Sequence, residues 1–247
     1  MFPSPVKITV QLRKARQELE RKLLKSDLIG LLRLMDSDEL YSDLLQKHQS
    51  RLISSDYFVS WYARKRASLL YTDFDKRELT RLLDHPDYQH LQRHIYYALS
   101  HMCKNRCDQQ LYQFLLERLQ HEEHIPNKLA LLSGMGEIGK GRKEFPEAIV
   151  SQMNSRNVAL KLQAIGALRN CKHPNIESLL IRKFKYSRSY KVKMAICFTL
   201  ETIGTRHSLT VLRESAQHTT DMHFKGILTQ SIEKIKSRVV KANLSVA

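Results

Sequence analysis

The stretch Arg182-Lys-Phe-Lys-Tyr-Ser-Arg-Ser-Tyr-Lys-Val-Lys193 carries six basic side chains and no acid, interleaved with three aromatic rings. Basic groups at this density can neutralise phosphates, and a tyrosine among them can stack on an exposed base. The candidates for anion or nucleic-acid binding are therefore Arg182, Lys183, Lys185, Arg188, Lys191 and Lys193, with Tyr186 or Tyr190 for stacking. The wider segment 140–193 holds 13 basic and 3 acidic residues, so +10 of the formal +16 falls within 54 residues. Clustering of this kind points to an anionic partner more strongly than net charge alone. The same residues also fit a plainer role, with Phe184 in the core and the charges forming a solvated face.

Other pairings invite chemistry and carry less. His90 and His94 share a helical face, with His101, Cys103 and Cys107 downstream, and imidazole and thiolate are zinc ligands. Cys103 and Cys107 straddle an expected helix end, and His101 faces away from Cys103. Exposed histidines and a buried Cys103 are the expectation, with no metal. His121-Glu122-Glu123-His124 lies in an expected turn. Trp61 and Asp56 sit on one proposed helix, where Trp61 is expected to pack inward beside Phe58 and Tyr62. The glycines of 134–141 are not followed by Lys-Ser or Lys-Thr and follow no strand, which excludes a phosphate loop. No catalytic residue and no cofactor is expected.

The elements that position these residues read as helices. Segments 160–171 and 192–204 resemble one helix written twice: each is apolar on nearly every side, so each needs cover from several neighbours. Glycine and proline are scarce, at 8 and 6 residues, which suits helices better than a loop-rich β fold. Residues 7–25 space Ile8, Leu12, Leu19 and Leu23 along one face. Ser26-Asp27 can cap a short helix at 28–35, and Ser37 another through about residue 53. Further helices are expected over 56–71, 76–84, 87–103, 108–119, 126–139, 145–153, 157–171, 175–186, 190–204, 208–217 and 221–240. Pro86, Pro126, Pro146 and Pro174 stand at or just before helix starts, where a missing N–H is harmless.

A period runs through the long helices. Leu99, Met135, Leu168, Leu200 and Ile232 occupy comparable places, separated by 36, 33, 32 and 32 residues. A helical hairpin with its turns has about this length. The ankyrin Thr-Pro-Leu-His turn and the tetratricopeptide pattern are both absent. Ala195, Leu200 and Ile203-Gly204, with Gly134, Met135 and Gly136-Glu137-Ile138-Gly139, and Ala164, Ala167, Leu168 and Cys171, resemble the HEAT repeat family, in particular the short bacterial repeats also found in phycobilin lyases. The usual Val-Arg near the start of the first helix is matched by Val192-Lys193 and Val158-Ala159. The resemblance covers 126–204 and extends weakly to 56–125 and 205–240.

It implies an all-α fold: a right-handed α-solenoid of about six HEAT-like hairpins, over 56–240. An N-terminal helical cap or divergent repeat would occupy 1–55 and a disordered tail 241–247. It also brings two enzymes into view. Hydroxylases resembling deoxyhypusine hydroxylase carry His-Glu pairs on several repeats, whereas His121-Glu122 is a single pair and cannot build a di-iron site. A bacterial class of alkylpurine DNA glycosylases uses acidic and aromatic residues in a basic groove, and no residue here matches its motif one by one.

The expected role is a non-enzymatic scaffold holding another protein on its concave surface. Nucleic-acid binding through 140–193 is the alternative, and glycosylase chemistry a remote variant of it. An anionic membrane surface is a further partner class compatible with the charge. No spanning segment or secretory leader is legible, since the apolar run 28–35 is short and broken by Arg33. The four cysteines do not form a disulfide framework, and Cys171 and Cys197 fall within apolar helices, so a reducing cytoplasm is expected.

Overall fold

The structure, a computed structural model, describes residues 5–42, 54–139 and 144–244. Among them the chain forms thirteen α-helices and no strand. The one β feature in these residues is an isolated antiparallel bridge between Leu40 and Phe58. Among the described residues no helix is long and apolar enough to cross a membrane. The chain divides into two compact units, Met1–Asp108 and Gln109–Ala247.

The first unit contains α1 (Pro5–Lys25), α2 (Leu28–Leu34), α3 (Val59–Ala67), α4 (Asp73–Leu83) and α5 (Gln92–Arg106), with 3-10 turns at Ser55–Tyr57 and Pro86–Leu91. Asp27 starts α2 as expected, its carboxylate accepting the Gly30 N–H at 2.6 Å. Thr72 and Asp75 start α4 by capping each other's backbone, which satisfies two orphan donors at once. α1 and α2 pack on α3, and α4 on α5, around Leu32, Met35, Ala63, Leu79, Ile95 and Leu99, none of them exposed.

Two expectations fail here for local reasons. Ser37 does not open a helix over 37–42. Its hydroxyl accepts the Glu39 N–H two residues on, and the following backbone pairs with the chain entering α3. The rest of that proposed helix, 43–53, lies outside the described residues. Trp61 is 37% exposed, while Tyr62 is buried as expected. Trp61 stands edge-on to Tyr62 at 4.9 Å, and Lys65, one turn on, covers its ring at 5.3 Å.

His94 is a buried titratable group of this unit. Its Nε2 lies 2.7 Å from an Asp36 carboxylate oxygen that Arg93 also reaches. Burial pushes the His94 pKa down, and the Asp36 charge does not fully restore it. Burial alone would raise the Asp36 pKa, but hydrogen bonds from Arg93 and His94 outweigh it and hold that carboxyl below its usual value. A histidine with a depressed folded pKa takes up its proton more readily when unfolded, so its contribution is complete above the ordinary histidine value and is lost as pH falls below it. The urea midpoint of the full chain is therefore expected to fall as pH drops from about 7 towards about 5.5. His94→Gln is expected to flatten that slope, and an unchanged slope would remove His94 as its source.

The second unit contains α6 (Gln109–His121), α7 (Ile125–Ile138), α8 (Glu147–Gln152), α9 (Val158–Ala167), α10 (Pro174–Tyr186), α11 (Tyr190–Ile203), α12 (Arg206–His218) and α13 (Met222–Leu244). A 3-10 turn, Leu168–Asn170, continues α9. α13 runs to Leu244, into the stretch 241–247 expected to be a tail. Asn157, Ser189 and Thr205 cap α9, α11 and α12 through side-chain oxygens, and Pro126 and Pro174 sit in first turns. Within this unit α7 packs on α9, α9 on α11 and α11 on α13, while α6 packs on α8 and α10 on α12.

The expected period is visible in this packing. Met135, Leu168, Leu200 and Ile232 are all buried. The last carbonyls of a helix lack intrahelical partners, and here the next helix in the series supplies donors. The Asn170 amide donates to Gly136 O at 2.8 Å, Thr199 to Ile165 O at 3.1 Å and Thr202 to Arg169 O at 2.6 Å. Arg238 donates to Glu201 O at 3.2 Å and also reaches Gly204 O. α7 and α9 come so close that a Cβ on Gly136 would lie 3.1 Å from the Ala167 Cα.

Candidate functional site

The basic stretch 182–193 is built by three consecutive pieces: the last turn of α10, the link Ser187-Arg188-Ser189, and the first turn of α11. In the link, the Ser187 hydroxyl accepts the Ser189 N–H at 3.2 Å, and Ser189 then caps α11 by accepting the Val192 N–H. This local hydrogen bonding forces a sharp reversal and throws Arg188 outward.

The eight candidates separate into two groups. Arg182, Lys185, Tyr186, Arg188 and Lys191 are exposed, and Tyr186 is 82% exposed. Lys183, Tyr190 and Lys193 are half-buried and already engaged. Tyr190 is hydrogen-bonded to His223 and packs edge-on against Phe224 at 5.3 Å, so its ring is not a free stacking platform. Lys193 holds its ammonium over the Phe184 ring at 5.5 Å, and Phe184 is core, stacked on Phe224. The Lys183 ammonium donates to the Asn154 side chain at 2.7 Å. Burial, and then the charge of Lys161, hold Lys183 below the usual lysine range.

Arg182, Lys183 and Tyr186 line a groove whose other wall is Val150, Met153 and Asn154 at the end of α8. Its floor is partly apolar, its rim cationic, and its one large ring is free. That combination suits a phosphate beside a flat base. The structure thus brings together Arg182, Lys183 and Tyr186, sets Arg188 on the adjoining turn, and commits Tyr190 to packing. Of the wider segment, 140–143 lie outside the described residues.

The remaining motifs are accounted for structurally. His94 is buried against Asp36 rather than exposed, because the polar end of α2 falls beside it. The His101 ring packs tilted against Tyr97 at 4.4 Å, and the buried Cys103 thiol donates to Asp108 O at 3.2 Å. Among the described residues no three His, Cys, Asp or Glu side chains gather as a metal site. Glu122 turns back onto the N–H groups of Glu123 and His124 and the Asn127 amide, which makes the His121-Glu122 pair part of a turn. Cys171 and Cys197 are buried as expected, and burial pushes the Cys197 thiol up to about 12, so it stays protonated. Asp56 lies near Tyr41, Tyr57 and Tyr62, with Arg16 over the Tyr62 ring at 5.8 Å and one Asp56 oxygen buried without a hydrogen-bond partner. Acid and aromatics do meet there, without a hydrogen-bonded nucleophile–base pair among the described residues.

Sequence reasoning named Lys193 but missed three lysines that share its place. In the first helices of the hairpins a lysine follows the N-cap by four places: Lys128 after His124, Lys161 after Asn157, Lys193 after Ser189, and Lys225 after Asp221. The caps, once aligned, were the signal. No family model matches the chain, and no curated protein matches its sequence.

Proposed function

We propose that Gln109–Ala247 is a right-handed α-solenoid of HEAT-like hairpins and that the protein is a non-enzymatic binding module holding another macromolecule. The observation that carries this reading is the repeated donation from one helix to the final carbonyls of its predecessor, at separations of 33 or 34 residues for Asn170, Thr199 and Thr202. Recurrence at one spacing is what stacked, like units produce, and such arrays present extended surfaces instead of a single enclosed pocket. On this reading α8, α10 and α12 line the concave side, and the Arg182–Tyr186 groove opens at its edge, where α8 and α10 end and α9 and α11 begin.

The architecture is tested by deleting one whole period, residues 158–189, which joins the cap Asn157 directly to α11. In a stack each hairpin touches only its neighbours, so the shortened chain is expected to keep its helicity per residue and to unfold cooperatively, read by circular dichroism. Loss of helicity or aggregation would point to a single-centred bundle. A turnover abolished by one point substitution would count against the non-enzymatic part.

A further inference from the structure

We infer that the lysines aligned along α7, α9, α11 and α13 form a column that grips the phosphate backbone of a single-stranded nucleic acid, with Tyr186 as a base platform beside it. The inference rests on the solenoid reading above and names its partner. Each lysine N–H closes the first helical bond onto its cap carbonyl, at 3.0, 3.1, 3.0 and 2.9 Å for Lys128, Lys161, Lys193 and Lys225. The four helices pack in series. One register repeated along such a series sets the ammonium groups in a row, about 10 Å apart, the spacing of packed helices.

The row is placed against the interests of the fold. A helix N-terminus is positive and favours acids, yet none of these four helices has an acid in its first turn, and of the four caps only Asp221 of α13 is acidic. Among the described residues, none of the four ammonium groups lies in an ion pair. Between Glu147 and Glu201 the chain has ten basic residues and a single acid, Glu177. That carboxylate is turned onto Thr205 and Ser208, so it neutralises none of them.

The column and the groove are one surface. The charge of Lys161 bears on Lys183, and Lys193 covers Phe184, the neighbour of Lys183. The turns repeat as well: Ser155-Arg156-Asn157 and Ser187-Arg188-Ser189 make the same hydroxyl contact, at 3.1 and 3.2 Å, and leave both arginines exposed. A linear row of cations with one free ring fits a flexible polyanion with stackable bases better than it fits a flat lipid surface or a duplex.

The test uses the full chain and labelled oligo(dT) and oligo(U) of about 20 nucleotides, read by fluorescence anisotropy across a salt series. Binding of either oligomer that weakens steeply with salt is expected, and comparing the two separates DNA from RNA. Lys161→Gln with Lys193→Gln should reduce the log–log salt slope by about 1.4 and weaken binding roughly 20-fold near 0.1 M salt. The same double variant should stay folded and melt close to wild type, because the lost Lys193–Phe184 contact is offset by removing cations from positive helix ends. Tyr186→Ala should weaken binding about tenfold at an unchanged slope, and Tyr186→Phe should restore it. No binding at low salt, an unchanged slope in the lysine variant, tighter binding of duplex, or binding of phosphatidylserine vesicles in place of oligonucleotide would each overturn the inference. The deletion of 158–189 reads folding alone, so failure of the architecture and failure of this partner are told apart.

Discussion

Leu168→Ala is expected to destabilise the chain by about 2–5 kcal/mol, the range for removing a fully buried leucine. Leu168 is not exposed at all. It lies in the 3-10 turn that continues α9, and this turn contacts both α7 and α11. Three helices would therefore have to move together to close the space left by the lost methyls. The approach of Ala167 to Gly136 already brings α7 and α9 to backbone contact, so collapse from that side is blocked. Leu168→Met conserves volume and is expected to cost less than about 1.5 kcal/mol. Urea unfolding followed by circular dichroism measures both. A loss below about 1 kcal/mol in the alanine variant would mean that the neighbouring helices do not press on this residue.

The second large effect concerns Glu177. This α10 carboxylate accepts the Thr205 N–H at 2.6 Å, the Thr205 hydroxyl at 3.0 Å, the Ser208 N–H at 3.2 Å and the Ser208 hydroxyl at 2.5 Å. It therefore places a negative charge at the N-terminus of α12, where the helix dipole favours one. Glu177→Ala removes charge-assisted bonds and leaves the Ser208 hydroxyl, which has no exposure, without its acceptor. A loss of about 2–3 kcal/mol follows. Glu177→Gln keeps an acceptor oxygen and should lose about half as much. Burial by itself would raise the Glu177 pKa, but the bonds from Ser208 and Thr205 prevail and hold it below the usual glutamate value. The unfolded chain then binds this proton at higher pH than the folded one. The contribution is complete above the ordinary glutamate pKa and is lost as pH falls through the depressed value. Wild type and Glu177→Ala should accordingly converge in stability under acid. A difference that persists undiminished at low pH would show that the charge is not the cause.

Much of the helical order was legible because caps and breaks are local. Asp27, Asn157 and Ser189 start helices as their side chains dictate, and prolines mark Pro126 and Pro174. The buried set Met135, Leu168, Leu200 and Ile232 was legible from spacing alone. What escaped depended on contacts between distant segments. Ser37 looks like a cap until the chain at Tyr57 and Val59 pairs with its neighbours. Trp61 and Tyr62 both look like core, and only Tyr62 is buried. The basic stretch was conspicuous because its charges are adjacent in sequence. The lysines of the row are 32 or 33 positions apart, so only the aligned caps reveal them. Tyr190 and Tyr186 look equivalent in sequence, and only the partners His223 and Phe224 separate them.

The carbonyls at the ends of α7, α9 and α11 are completed by side chains that come later in the chain, from Asn170, Thr202 and Arg238 among others. This gives the unit a polarity. When α13 frays, Glu201 O and Gly204 O lose the Arg238 guanidinium and must turn to water, which loosens the end of α11 in turn. Local opening should therefore reach the end of α11 from α13 before it reaches α7, so that amide protons of α7 outlast those of α13 in exchange.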